Sequence, residues 1–284
     1  MGHLLLILLT LLQGCGHESY RLVSRSAAGQ EPYRLVSWPS ASQDSRIQFL
    51  ILHYTDSDDD QSLRVLTDGS RKVSAHYLVP RENTGLPFPI YQLVLDDQRA
   101  WHAGKSRWQD QTGLNASSLG IEIVNHGYPQ DQSGLPIDQR DWQPFTEAQI
   151  AAVGTLTHDL AAHYRIPPTQ VLAHSDVAPE RKTDPGSRFP WQRLHDDYGV
   201  GAWPDETRVK ELIQQTPPSD ALSWQKSLGR YGYSVAQSGN WDEATRQVLR
   251  AFQLHFRPTK VSGEPDTESW ARLQALLEMY YPSH

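Results

Sequence analysis

The sequence predicts an α/β protein: a sheet flanked by helices, with a small all-α part behind it. Three observations carry that prediction. Nearly continuous apolar runs of strand length recur at residues 47–52, 119–125 and 171–173, as expected of strands covered on both faces. Between the second and third lies a longer stretch with helical spacing, in which Ile150, Val153, Leu160 and Tyr164 share one face. Beyond residue 219 the apolar spacing is helical throughout.

In chain order, residues 4–12 form an apolar run too short to span a bilayer but of the length of a signal h-region. It ends in Leu12-Gln13-Gly14-Cys15, which is similar to a bacterial lipobox, so residues 1–14 read as a lipoprotein signal peptide and Cys15 as the acylated residue. The n-region, Met1-Gly2-His3, is atypical because it carries no Lys or Arg. Gly16 rather than Asp after the cysteine points, by lipoprotein usage, to a lipid anchor in the outer membrane facing the periplasm. Residues 15–36 are polar and read as a tether. Tyr-Arg-Leu-Val-Ser occurs twice, at residues 20–24 and 33–37, a repeat too short to build a solenoid.

Residues 47–52 read as a central strand. The carboxylate-rich stretch Asp56 to Asp60 reads as a solvated entry to a helix at 62–66, because no calcium-loop spacing or glycine follows it. Residues 75–79 and 90–95 read as two more strands. In the strand at 119–125, Glu122 lies between Ile121 and Ile123, and period-2 alternation sends such a residue to solvent. Residues 127–144 form a polar loop long enough to be a functional rim. Thr146 then caps a helix, with Gln149 at the capping-box position. His158 and His163 on that helix do not have the i, i+4 spacing of a zincin motif. Residues 214–219, Gln-Gln-Thr-Pro-Pro-Ser, are a linker by composition. Three amphipathic patterns follow: Ala221, Trp224 and Leu228; then Val248, Leu249, Phe252 and Phe256 after the cap Asp242; then Trp270, Leu273, Leu277 and Tyr280 after the cap Asp266. Residues 220–284 therefore read as a three-helix bundle.

The formal net charge is -7 with no basic cluster, which argues against nucleic acid as a partner. A single cysteine rules out a disulfide framework and a thiolate zinc site. Nine Trp and twelve Tyr supply aromatic faces of the kind that line sugar and peptide grooves. The chemistry concentrates in residues 174–186, HSDVAPERKTDPG. This stretch leaves the end of an apolar run, and its prolines and glycine forbid a helix through its second half. It places an imidazole, an ammonium and a carboxylate on one loop. A catalytic zinc takes three protein ligands and a water. His174 and Asp184 are two candidates, and His53, at the end of another apolar strand, is the third.

That stretch, with LILHYT at 50–55, VSAHYLV at 73–79, AWHAG at 100–104 and LGIEIVN at 119–125, resembles the zinc-dependent N-acetylmuramoyl-L-alanine amidases of the type-2 family, whose fold is shared with peptidoglycan recognition proteins. The resemblance covers residues 37–213, in family order. It implies a mixed central sheet flanked by helices, and one Zn2+ held by His53, His174 and Asp184. Glu122 would face the metal as general base and Lys182 would stabilise the oxyanion. His76, Trp101 and His102 would contact substrate. The implied reaction is hydrolysis of the amide between N-acetylmuramic acid and L-alanine in peptidoglycan or muropeptides. Residues 220–284 are similar, more loosely, to three-helix peptidoglycan-binding modules. Two alternatives stand beside this: a non-catalytic recognition protein of the same fold, and a zinc amide hydrolase with a non-murein substrate.

Overall fold

An apolar run buried on both faces belongs inside a sheet, and that is where the structure, a computed structural model, puts the strand carrying His53. The structure describes residues 38–81 and 87–282. The signal peptide, Cys15, the tether and the Tyr-Arg-Leu-Val-Ser pair lie outside the described residues. In chain order the first part contains β1 (Phe49–Tyr54), α1 (Asp59–Thr67), β2 (Tyr77–Val79), β3 (Tyr91–Gln92), β4 (Arg107–Trp108), β5 (Gln111–Thr112) and β6 (Ser118–Ile123). It continues with α2 (Glu147–Tyr164), β7 (Val171–Ala173), α3 (His174–Val177), α4 (Trp191–Tyr198) and α5 (Glu206–Leu212). The C-terminal helices are α6 (Ala221–Tyr231), α7 (Glu243–Phe256) and α8 (Thr267–Tyr280). Among the described residues no helix is long and apolar enough to cross a membrane.

Among the described residues five strands form one mixed sheet in the order β3-β2-β6-β1-β7. The pairs β1–β6, β1–β7 and β2–β6 are parallel, and β3 runs antiparallel at the edge. The register sets Leu52 beside both Ile121 and Ala173, and His53 beside Glu122. Three parallel strands thus end level with one another, and open α/β sheets bind ligands outside those carboxyl ends. All six residues of β6 are buried. The solvent face that period-2 alternation assigns to Glu122 does not exist here, because both faces of β6 are covered.

Local signals hold at most helix starts. Thr146 Oγ1 accepts from Gln149 N at 3.1 Å, and Gln149 Oε1 accepts from Thr146 N at 3.1 Å, closing the expected capping box. Asp58, Asp242 and Asp266 each accept a backbone N–H of the helix they precede. The strand expected at 90–95 is shorter, Tyr91–Gln92, since Leu93 N turns to donate to His76 O at 2.8 Å. The stretch expected to leave β7 as a loop instead makes one helical turn, α3, before its prolines take over.

The C-terminal helices carry an internal echo. Residues 238–245, SGNWDEAT, and 262–269, SGEPDTES, both run from a positive-φ glycine to an Asp cap. In each, a buried glutamine of the preceding helix is threaded into the turn. Gln225 bonds Gly239 N, Asn240 O and Thr245 Oγ1, and Gln253 bonds Gly263 N, Glu264 O and Ser269 Oγ. The segment of linker composition is tied down as well: Trp224 Nε1 donates to Pro218 O and Trp241 Nε1 to Ser219 O. One hydrophobic core runs from Phe49, Ile51 and Ile121 of the sheet to Trp224, Phe252 and Leu276 of the helices. A break in composition is therefore not a break in packing.

Candidate metal centre

His53 is the next-to-last residue of β1, His174 follows β7 directly, and Asp184 returns on the loop after α3. Ser175 N donates to Asp184 O at 3.0 Å and fastens that loop to the helical turn. The side chains converge: His53 Nδ1 lies 2.9 Å from His174 Nδ1, and each lies 3.0 Å from Asp184 Oδ2. All three residues are buried.

The outer nitrogens decide what this triangle can hold. Ser118 Oγ spends its proton on Leu114 O, 2.6 Å away. Its contact with His102 Nε2 at 3.2 Å therefore requires an Nε2–H on His102. His102 Nδ1 is then an acceptor, and His53 Nε2–H donates to it at 3.0 Å. On the other side His174 Nε2 makes the shorter of its two contacts, 3.2 Å, with Ala103 O, which can only accept. Neutral rings with these tautomers direct two Nδ1 lone pairs and a carboxylate at one another with no proton among them. Such a triangle calls for a cation. A tetrahedral Zn2+ at roughly 2.0–2.1 Å from each donor sets neighbours about 3.3 Å apart, so the donors need to separate by only a few tenths of an ångström. Two imidazoles and a carboxylate fit one Zn2+ with a coordination position left over.

Electrostatics agree with a site kept unprotonated. Burial first, then the nearby His174, lowers His53 to about 4. Burial and the surrounding histidines hold His102 well below its ordinary value. Burial works to raise the Asp184 carboxyl, but a proton on either neighbouring imidazole outweighs it, so Asp184 is held well below the usual carboxylate range and enters the site as a carboxylate. Glu122 behaves in the opposite way. Burial, then the charge of Asp184, pushes it well above the carboxylate range, and Lys182 only partly opposes this. Its Oε2 is buried and finds no hydrogen-bond partner among the described residues.

These groups line a cleft of roughly 360 Å³ that also takes in Tyr54, Tyr128 and Lys182. Lys182 is half-buried. His102 supports His53 from behind, and the geometry requires Gly120 there: a methyl on Gly120 would lie 2.3 Å from the His102 ring. Asn115 Oδ1 accepts from the backbone N–H of both His102 and Ala103, fixing that loop. His76 is fully buried, accepting from Gly120 N and donating to Gln98 O. It is a residue of the fold and does not reach the cleft. Trp101 is half exposed under the Arg99 guanidinium. It lines a neighbouring groove that shares Leu66 and Val73 with the cleft. Sequence reasoning passed over Ser118, Asn115 and Asp176; for the first two no local pattern marks them, whereas Asp176 sits at the third position of a helical turn.

Comparison with known proteins agrees with this arrangement. A family model described as N-acetylmuramoyl-L-alanine amidase matches residues 43–187, and one described as a peptidoglycan binding domain matches residues 219–273. The N-acetylmuramoyl-L-alanine amidase AmiD of Escherichia coli (strain K12) is 46% identical over 241 residues, spanning 83% of this chain and 84% of that protein. The solved complex of E. coli AmiD with anhydro-N-acetylmuramic acid-L-Ala-D-gamma-Glu-L-Lys superposes with a TM-score of 0.80 at 42% identity, covering 90% of this chain and 98% of that one. AmpDh3 of Pseudomonas aeruginosa, in complex with anhydromuramic pentapeptide, gives 0.77 at 34% identity, covering 86% and 96%. With the family model spanning residues 43–187 and a relative 46% identical over 84% of its own length, the chain belongs to the N-acetylmuramoyl-L-alanine amidase family.

Proposed function

We propose that the protein hydrolyses the amide between N-acetylmuramic acid and the L-alanine of the stem peptide, in peptidoglycan or its fragments, as a one-zinc amidase. The observation that carries this reading is the convergence of His53 Nδ1, His174 Nδ1 and Asp184 Oδ2 to within 3.0 Å of one another, beside an orphaned, buried Glu122 carboxyl. When bound there, Zn2+ supplies a Lewis acid that brings a water's pKa towards neutrality and polarises a carbonyl. Glu122, made more basic by burial, takes a proton from water and returns it to the leaving amine. Lys182 brings an ammonium to the same cleft, where it stabilises negative charge developing on the carbonyl oxygen. Trp101, in the adjoining groove, contacts the substrate beyond the scissile bond, and His102 acts by orienting His53. Since AmiD and AmpDh3 have been solved with anhydromuramic peptides, such peptides are among the substrates proposed.

Residues 220–284 bind peptidoglycan on this reading, and Cys15 carries the lipid that anchors the protein in the outer membrane. The chelator experiment tests the chemistry. Purified sacculi and soluble anhydromuropeptides are incubated with the protein, with chelator, and with chelator followed by zinc. Stem peptides should be released, lost with chelator and restored by zinc. Binding without release would make it a recognition protein, and inertness towards both would point to a non-murein substrate. For the anchor, Cys15→Ala expressed from its native start should lose lipid labelling and membrane fractionation. Unmutated protein found only in the cytosol without lipid would overturn it.

A further inference from the structure

The helical turn that begins at His174 is closed from its far side by the C-terminal helices. Asp176 is fully buried and saturated with donors: Ala173 N at 2.8 Å, Tyr233 OH at 2.6 Å and His255 Nδ1 at 2.6 Å. The first contact closes the turn over the residue preceding His174. The other two come from the three-helix module, Tyr233 just beyond α6 and His255 on α7. The His255 ring lies flat between Trp191 of the catalytic half, at 3.8 Å, and Phe256, at 4.0 Å. Its Nε2 is buried with no hydrogen-bond partner among the described residues. An apolar ring would pack in that slot without leaving a polar atom unsatisfied, so the histidine's return lies in its bond to Asp176. Tyr233 is itself held in place. Trp108 packs edge-on against it at 4.9 Å, Gln109 N donates to Gly232 O at 2.7 Å, and a methyl on Gly232 would lie 2.6 Å from the Trp108 ring.

The structure assigns the three-helix module a second task besides holding the wall: through His255, Tyr233 and Asp176 it positions the zinc ligand His174. His255 and Tyr233 are positioning residues, acting through Asp176 and the α3 turn. Outer partners of metal ligands set affinity by fixing where the ligand points; Asp176 acts one step further out, on the backbone of the turn that carries His174, and its own partners span the boundary that composition draws at the linker. The inference rests on the zinc-amidase reading, but zinc binding can be read without any turnover.

The test uses full-length protein. Tyr233→Phe removes one oxygen, and His255→Phe keeps the stacked ring while removing the Nδ1 donor. Leu273→Ala, in the buried core of α8, weakens the module without touching Asp176. Each is measured for zinc affinity by chelator competition, for the visible absorption of the Co2+-loaded protein, for thermal melting, and for kcat and KM on a soluble anhydromuropeptide. Tyr233→Phe and His255→Phe should each bind zinc on the order of tenfold more weakly, with an altered cobalt spectrum and a lower kcat at unchanged KM. Leu273→Ala should melt earlier yet bind zinc as the unmutated protein does. Unchanged zinc affinity and cobalt spectrum in Tyr233→Phe and His255→Phe would overturn the inference, and so would an equal loss of zinc in Leu273→Ala. If His255→Phe does not fold, Tyr233→Phe alone decides. Should the unmutated protein bind zinc and cleave no muropeptide, the reaction assignment fails, while the zinc measurements still judge the positioning role.

Discussion

At the start of the α3 turn, His174 meets His53 and Asp184; two residues on, Asp176 meets His255 and Tyr233. Both clusters are buried, and both set a carboxylate against imidazole Nδ1 atoms. They differ in where the protons are. Asp176 receives three N–H and O–H donors, so every contact is complete within the protein. Around Asp184 the two imidazoles have spent their protons on His102 and Ala103 O and present lone pairs. The same residue types thus make a structural joint in one place and a cation site in the other. The outer hydrogen bonds of the rings determine which.

The comparison can be broken most severely at the metal ligands. His53→Ala, His174→Ala and Asp184→Ala should each lose stoichiometric zinc, measured by elemental analysis, and with it turnover down to background. A variant that keeps full metal would mean a different ligand set. Glu122→Gln should instead retain zinc and lose on the order of 10²–10⁴-fold in kcat. If its metal is lost too, Glu122 is a ligand.

Stability should separate the two clusters with zinc removed. Asp176→Ala strands three buried donors and should cost at least about 3 kcal/mol, from a desolvation penalty of roughly 1–3 kcal/mol at each. Asp184→Asn supplies N–H donors to two lone pairs. Metal-free, it should unfold within about 1 kcal/mol of the unmutated protein, or later. Urea titrations in chelator measure both, and equal losses would erase the distinction.

The mildest intervention is a change of pH, which alters no residue. His53 is lowered from 6.5 to about 4, so the unfolded chain binds its proton more readily. Metal-free stability should be full above the unfolded value near 6.5 and fall as pH drops towards 4, by roughly 3 kcal/mol from this residue. His102 and His76, also lowered, add in the same direction. Thermal melts in chelator between pH 7 and 4.5 that do not shift would show that the rings are not buried in their neutral form.

How much of this could be read beforehand depended on whether the cause was local. His53 and His174 were legible because each stands where an apolar run ends, and parallel strands of matched register end together. Thr146, Asp242 and Asp266 were legible because a cap bonds residues within one turn. Glu122 was legible only through resemblance. Alternation assumes one wet face, and β6 has none. His76 and His102 looked alike in sequence, yet one is locked into the sheet and the other braces His53, a difference made by Gly120 and Ser118 on a strand not adjacent in sequence. The Asp176 joint was beyond reach, since its partners lie 57 and 79 residues further along the chain.

The level ends of β1 and β7 have a consequence for how the protein comes by its metal. His53 and His174 are 121 residues apart in sequence, and no single segment carries a complete ligand set. Closing that loop is an entropic cost met only when the two strands have paired. A newly made chain therefore brings together at most the His174 and Asp184 pair, ten residues apart, and the full set forms only with the sheet. Zinc uptake becomes a clock: in a refolding experiment with a fluorescent zinc indicator, the moment the ion leaves the indicator marks the docking of β7 against β1.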